Sequence, residues 1–304
     1  MELKKIADET KEELPNVLSQ LPYLDAMDSS IFGLKDIPAL DAAKCPRFTL
    51  PGSDADAGKA GTRVKVFDMD TFDAAIKIAP DYTSCKHLSF SQTGTDSTNS
   101  TQEDQVMKDI SRESNADNMT LYRKPKPVAV LNLASERKAG GGWANGALAQ
   151  EEALCYRSSL YLSLHDSYYP LPSLSAIYSP SVLIIRDAIV AALRRPTLTD
   201  DMKHFKNEGQ RAETKRKIRL TLRVAATGGH VKIVLGALGC GVFGNPPKEV
   251  ADCFLEVLRE KEFQGGWWDE VVFAVLDNVK GDQGGKDGIG NYGEFYRVLD
   301  GEIV

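Results

Sequence analysis

The chain has 304 residues, 42% of them hydrophobic, and a formal net charge of −6 from 37 Lys and Arg against 43 Asp and Glu. That is apolar mass enough for the core of one enlarged α/β domain, and the acidic balance argues against a phosphate-neutralising nucleic-acid binder. No run approaches the roughly 18 apolar residues of a membrane span, and the opening MELKKIADETKEEL reads as too charged for a signal peptide.

Residues 1–60 read as an N-terminal helical extension. An amphipathic helix comes first, then segments punctuated by Pro15, Pro22, Pro38, Pro46 and Pro51, then the polar link GSDADAGKAGT. In TRVKVFDMDTF, the residues Val64, Val66 and Phe67 suit a strand, and FDAAIKIA a short helix. Residues 91–118 are strongly polar and read as a mobile surface connection. Five cysteines (Cys45, Cys85, Cys155, Cys240, Cys253) lie scattered without CxxC spacing, which suggests reduced thiols and a cytoplasmic or nuclear setting. The four histidines form no pair at metal-ligand spacing, so no metal site is expected.

From residue 127 onward strands alternate with helices. PVAVLNLAS reads as a buried strand. QEEALCYRSSLYLSL reads as a helix with Leu154, Ser158, Tyr161 and Leu162 near one face. SVLIIRD reads as a strand and KRKIRLTLRVAATGG as a helix ending at glycines. HVKIVLGAL is a strand, PPKEVADCFLEVLREK a helix with proline in its first turn, and EVVFAVLD the last clear strand. This alternation predicts a largely parallel sheet covered on both faces, with ligands bound beyond the carboxyl ends of its strands. The run Lys215-Arg216-Lys217, with Arg219 and Arg223, fits a solvated helix face better than a polyanion-binding patch.

Two glycine-rich segments fall at those strand ends, AGGGWANGALAQEE and LGALGCGVFGNPP. Glycines there let main-chain N–H groups approach an anion, and the following helix adds its positive end. The second segment lacks the GxGxxG spacing of a dinucleotide site, and no GK[ST] follows as in a Walker loop. A phosphate-bearing ligand is expected, held without lysine or arginine. Beside the first loop stand Glu151 and Glu152. Neighbouring helical residues point about 100° apart, so one can line a pocket while the other supports the loop. The helix start favours the carboxylate and burial the neutral acid; a general acid requires the second effect to win. Glutamates that merely complement the helix dipole are the plainer reading.

GGG-W-ANGALA-QEE resembles the GGG-x(6–8)-QEE signature of poly(ADP-ribose) glycohydrolases. VLNLAS…GGG…QEEALCYRSSLY together with LGALGCGVFGNPP is similar to the microbial form, found in bacteria and filamentous fungi. The resemblance implies an extended macrodomain: a three-layer α/β/α mixed sheet over residues 61–304, preceded by the helical extension. It implies Glu152 as catalytic acid and then base, and Glu151 and Gln150 as residues orienting the scissile ribose and the loop. Gly140, Gly141 and Gly142 would wrap the diphosphate and that ribose, and Asn132 would hydrogen-bond the ribose. Gly239, Gly241 and Val242 would form the second phosphate loop, and Phe243 would pack on the distal ribose or adenine. The implied substrate is poly(ADP-ribose), cut mainly from chain ends to release ADP-ribose, with no cofactor. The implied partners are ADP-ribosylated proteins, with neither membrane nor direct DNA contact, and the protein would be a monomer. A mono-ADP-ribosyl or ADP-ribose-ester hydrolase, or a non-catalytic ADP-ribose reader, could use the same loops.

Overall fold

The computed structural model describes residues 2–80, 126–186, 205, 208–241 and 243–304. These belong to one compact unit formed by Met1–Tyr82 and Lys126–Val304. The polar connection at 91–118 lies outside the described residues.

The centre is a four-stranded parallel sheet. In chain order its strands are β2 (Lys65–Phe67), β3 (Ala129–Val130), β5 (Lys232–Leu235) and β6 (Glu270–Ala274), arranged β2-β6-β5-β3. Antiparallel pairing enters at the β2 margin. Thr62 and Val304 exchange backbone hydrogen bonds at 3.0 and 3.1 Å, and Arg63 bridges Ile303, so the sheet is mixed there. A separate antiparallel ribbon joins β1 (Ser30–Gly33) to β4 (Ser175–Tyr178).

Alternation along the strands sorts the core. Ile233, Leu235, Val271 and Phe273 face one side, where they pack with residues of α5 (Glu208–Thr227), α6 (Pro247–Leu258) and α7 (Asn291–Leu299). Val234, Val272 and Ala274 face the other side, against Ala74, Ala75 and Ile78 of α2 (Thr71–Ile78). That gives helix, sheet, helix. Helix α2 starts where Asp70 caps it, accepting from Phe72 N at 2.8 Å; α6 starts with Pro247 in its first turn. In α1 (Glu2–Ser19), buried Ala7, Thr10, Leu14 and Val17 form one stripe at helical spacing. Ala7 joins a cluster with Trp143, Leu154, Cys155 and Tyr156.

Three sequence expectations change. The QEE helix ends early: α3 spans Gln150–Arg157, Ser158 is extended (φ −151°), and a short α4 (Leu160–Ser163) follows. SVLIIRD is not a strand of the sheet. Its described part pairs with the break after α3, through the Ser158–Ile184 bridge and Ser159 N to Leu183 O at 2.9 Å. A few unpaired backbone groups at that break can hold a short antiparallel segment but no ladder. PVAVLNLAS does carry a strand, but a half-buried one, and among the described residues it pairs with β5 alone.

In the basic run Arg216 and Lys217 are exposed, as a solvated face requires, whereas Lys215, Arg219 and Arg223 are paired. Arg219 forks onto Glu260 with two contacts of 2.6 Å, and Arg223 onto Glu262 with two of 2.8 Å. Lys215 reaches Glu256 at 3.2 Å. These residues form an ionic seam between α5 and the chain at and beyond the end of α6.

Candidate active site

Both glycine segments leave the carboxyl ends of neighbouring parallel strands, β3 and β5. Leu131 N still bonds Val234 O at 2.8 Å before the chains part, and beyond that point both turn into loops.

In the first loop Gly140 and Gly141 have φ of +65° and +57°, a region that other residues rarely adopt. A Cβ on Gly141 would stand 2.4 Å from Glu152 Oε1 and 3.3 Å from Glu151 Oε2. Thus two side chains leaving the helix about 100° apart bend toward one α-carbon. The loop closes through Gly141 N to Lys138 O (3.0 Å) and Trp143 N to Gly140 O (3.2 Å).

Helix α3 holds this loop from below through three consecutive side chains. Gln150 accepts from Leu133 N at 2.8 Å and donates to Leu131 O at 2.8 Å and Thr71 Oγ1 at 3.2 Å, so its amide is committed to the strand exit. Glu151 is 2% exposed; it accepts from Ser135 N at 2.8 Å and from Asn132 Nδ2 at 3.2 Å. Burial pushes its carboxyl up to about 7, with Glu152 adding to the rise and the Ser135 and Asn132 hydrogen bonds opposing it. Glu152 is only half-buried, and its Oε1 accepts from Gly142 N at 3.0 Å. Asn132 Oδ1 is shielded from solvent and has no partner among the described residues.

A second layer supports the first. Tyr156 donates toward Trp143 O (2.8 Å) and Ala147 O (2.6 Å), which fixes the far limb of the loop. Thr10 of α1 donates to Tyr156 O at 3.0 Å, and the Lys11 ammonium lies 5.0 Å from the centre of the Trp143 ring. The fully buried Arg157 pairs with Asp70 and with Asp73 (2.7 Å), tying the end of α3 to the start of α2.

The second loop is held differently. Gly239 has φ +72°, and its Cβ would stand 2.2 Å from Asn245 Nδ2. Asn245 N returns to Gly239 O at 2.9 Å, and Asn291 Nδ2, at the start of α7, donates to Cys240 O at 3.4 Å. Gly241 faces open space. Phe243 is 70% exposed, which excludes a core role for it. Val242 lies outside the described residues.

Asn132, Gly140, Gly141, Gly142, Gln150, Glu151 and Glu152 therefore converge, and Gly239, Gly241 and Phe243 stand on the adjoining strand's loop. Sequence reasoning missed the Arg157–Asp70–Asp73 tie and the supports from Thr10 and Lys11. It also passed over residues 277–290 beyond β6, where Asp277 accepts from Gly285 N at 2.6 Å and donates its own N–H to Asp68 at 2.8 Å. The glycines of GDQGGKDGIGN were the available signal.

Among the described residues no group of His, Cys, Asp and Glu could hold a metal, and no helix is long and apolar enough to cross a membrane.

A mixed α/β/α sheet whose glycine loop is clasped by adjacent glutamates at the strand ends defines a macrodomain-like fold. Residues 42–187 match the family model of the microbial-type PARG catalytic domain. Among solved structures it is similar to the poly(ADP-ribose) glycohydrolase of Thermomonospora curvata, at 24% identity, over 97% of this chain and 98% of that one, with a TM-score of 0.59. Another structure of that enzyme is bound to the inhibitor ADP-HPD. The enzyme of Deinococcus radiodurans in complex with ADP-ribose is similar at 27% identity, over 90% of this chain and 96% of that one, with a TM-score of 0.54. No curated protein sequence matches.

Proposed function

We propose that the protein is a poly(ADP-ribose) glycohydrolase that hydrolyses the ribose–ribose O-glycosidic bond with Glu152 as acid and then base. The observation that carries this reading is the Glu152 carboxyl, half-exposed and docked on Gly142 N–H inside a positive-φ glycine loop. A diphosphate laid on the loop amides brings the adjoining ribose to that carboxyl. Cleavage passes through an oxocarbenium-like transition state. Glu152 protonates the departing 2′-oxygen, the bound diphosphate steadies the positive ribose, and the ionised Glu152 then takes a proton from the attacking water.

Glu151 does not suit the part of nucleophile. Both its oxygens already accept hydrogen bonds, from Asn132 and Ser135, and it is buried. Its place is one of positioning: it accepts from Ser135 N and Asn132 Nδ2 and so holds the loop stem and Asn132 beside Glu152. The unpaired Asn132 Oδ1 is available to accept from a ribose hydroxyl.

The remaining parts of the proposal are finer. The first loop is closed behind by Trp143 and α1, and Phe243, 70% exposed, would cover the distal nucleoside, a reading that favours attack on chain ends. The expected partners are ADP-ribosylated proteins, inside the cell, with a monomer acting, as part of the DNA-damage response of a fungal source. A time course on labelled poly(ADP-ribose), resolved by chain length, tests the reading. Early free ADP-ribose supports it, and early oligomers mean internal cleavage. Polymer bound but uncut means a reader, and release of ADP-ribose only from mono-modified protein means the mono-ADP-ribosyl hydrolase.

A further inference from the structure

Helix α3 carries Glu152 and Tyr156 four residues apart, so both side chains leave the same face on successive turns. They grip one short stretch of chain at different points. Glu152 Oε1 accepts from Gly142 N at 3.0 Å, while the Tyr156 hydroxyl lies 2.8 Å from Trp143 O and 2.6 Å from Ala147 O. The stretch between is folded tightly on itself. Gly142 O accepts from Asn145 N at 2.9 Å and from Ala147 N at 3.2 Å, and Gly146 N returns to Trp143 O at 3.0 Å. A Cβ on Gly142 would stand only 2.7 Å from that of Ala147. The turn at 142–147 is therefore stiff inside, and its seat on α3 is decided by the groups that hold it from outside.

Tyr156 is itself immobilised. Its side chain is fully buried, and its ring meets Trp143 edge to face with centres 6.0 Å apart. The carbonyls left over where α3 ends are all taken: Leu154 O by Ser158 Oγ (2.7 Å), Tyr156 O by Thr10 Oγ1 (3.0 Å) and Arg157 O by Ile185 N (2.8 Å). The ring cannot swing without breaking that end of the helix. Tyr161 and Lys11 also reach this loop, but through the Trp143 ring, at 4.7 and 5.0 Å between centres or to its centre, which leaves the main chain of the turn to Tyr156. A hydroxyl has one proton; shared between two carbonyls of the turn, it holds both only while the turn stays seated. We propose that Tyr156 is a positioning residue of the hydrolytic site: by seating the turn at 142–147 it keeps the Gly142 N–H on the Glu152 carboxyl, and so fixes how Glu152 meets the scissile bond. Glu152 is half-exposed, and a misplacement of about 1 Å at a reacting group costs on the order of a hundredfold in rate.

The proposal rests on the glycohydrolase reading for its kinetic consequence only, and Tyr156→Phe in the full chain tests it twice. The substitution removes one oxygen and keeps the ring. In ligand-free protein, amide hydrogen exchange at Gly142 should quicken about tenfold or more, while Val234 and Val272 of the central sheet exchange as before. With poly(ADP-ribose), kcat should fall about tenfold while KM stays within about twofold. Exchange at Gly142 that is unchanged, or that rises only in step with the sheet amides, overturns the proposal, because Tyr156 would then be an ordinary core aromatic. An unchanged kcat overturns it too, whether or not KM rises, since the hydroxyl would then serve binding or nothing. Should the variant not fold, the wild type decides. In urea below the unfolding transition, the Tyr156 hydroxyl proton and the Gly142 amide should lose protection together, ahead of the sheet amides; a hydroxyl still protected after Gly142 has opened overturns the proposal. If the wild-type chain releases nothing from the polymer, the glycohydrolase reading fails, and exchange at Gly142 still decides the role of Tyr156.

Discussion

The two glycine loops leave adjacent strands of one sheet, yet they are built to opposite specifications. The first is clasped by Glu151 and Glu152, its strand exit is tethered by Gln150, and it is closed by Tyr156 and backed by α1 through Ala7, Thr10 and Lys11. Side-chain space at Gly141 is already taken by carboxylate oxygens. The second loop has Asn245 and Asn291 as its anchors, open space at Gly241, and an exposed Phe243. Under the proposed function, the contrast follows from the chemistry each loop would serve. Bond cleavage demands reacting groups fixed to within a fraction of an ångström, whereas covering the far end of a ligand needs amides and an apolar surface that can adapt.

The comparison breaks most readily at Gly141. Gly141→Val puts a β-branched side chain at φ +57° and into Glu152 Oε1. Titration calorimetry should show ADP-ribose affinity down by about a hundredfold or more, and turnover lost with it. An affinity within a few-fold of wild type would mean that the first loop is not the rigid one.

The next effect is one of pH. Burial holds the Glu151 carboxyl at about 7 in the folded chain, above the ordinary glutamate value of 4.5. Because the folded value is raised, its contribution to stability is complete below about 4.5 and is lost as pH rises through about 7. The full loss is about 3 kcal/mol. Glu151→Gln removes this dependence, so the wild type should lose about that much relative to the variant between roughly pH 4 and pH 8, measured by urea unfolding. Parallel pH curves for the two proteins would show that Glu151 ionises freely and that the buried clasp is not as described.

Smaller effects belong to the second loop. Phe243→Ala should leave the melting temperature unchanged, because the ring is 70% exposed, and should weaken ADP-ribose about tenfold if the ring covers the nucleoside. Gly241→Ala sharpens the comparison further. The new methyl meets nothing within 4 Å in the free protein, so a loss of affinity without loss of stability reads directly as close approach of the ligand. The smallest effect is expected for Lys138→Ala, within about twofold, since an exposed lysine contributes only a screened charge.

Much of this contrast was legible in the sequence. The triple glycine ahead of Gln150-Glu151-Glu152 marks the first loop, and periodicity marks β5, β6, α5 and α6, because those signals are local. What was not legible depends on distant partners. Nothing in SVLIIRD says that its hydrogen bonds go to the break after Arg157 instead of to a sheet. The same is true of Thr10 reaching Tyr156 across 146 positions, or Arg157 reaching Asp70 across 87. Helix geometry alone set Glu151 and Glu152 apart; long side chains and the missing Cβ of Gly141 let them converge.

The central claim is that Glu152 transfers the proton while the loops alone bind the ligand. Glu152→Gln keeps the shape of the side chain and removes the transferable proton. Incubated with labelled poly(ADP-ribose), this variant should release no ADP-ribose, while its ADP-ribose affinity stays within about tenfold of wild type, or roughly 1.4 kcal/mol. Release at near wild-type rate would contradict the account, because the proton would then have to come from another group.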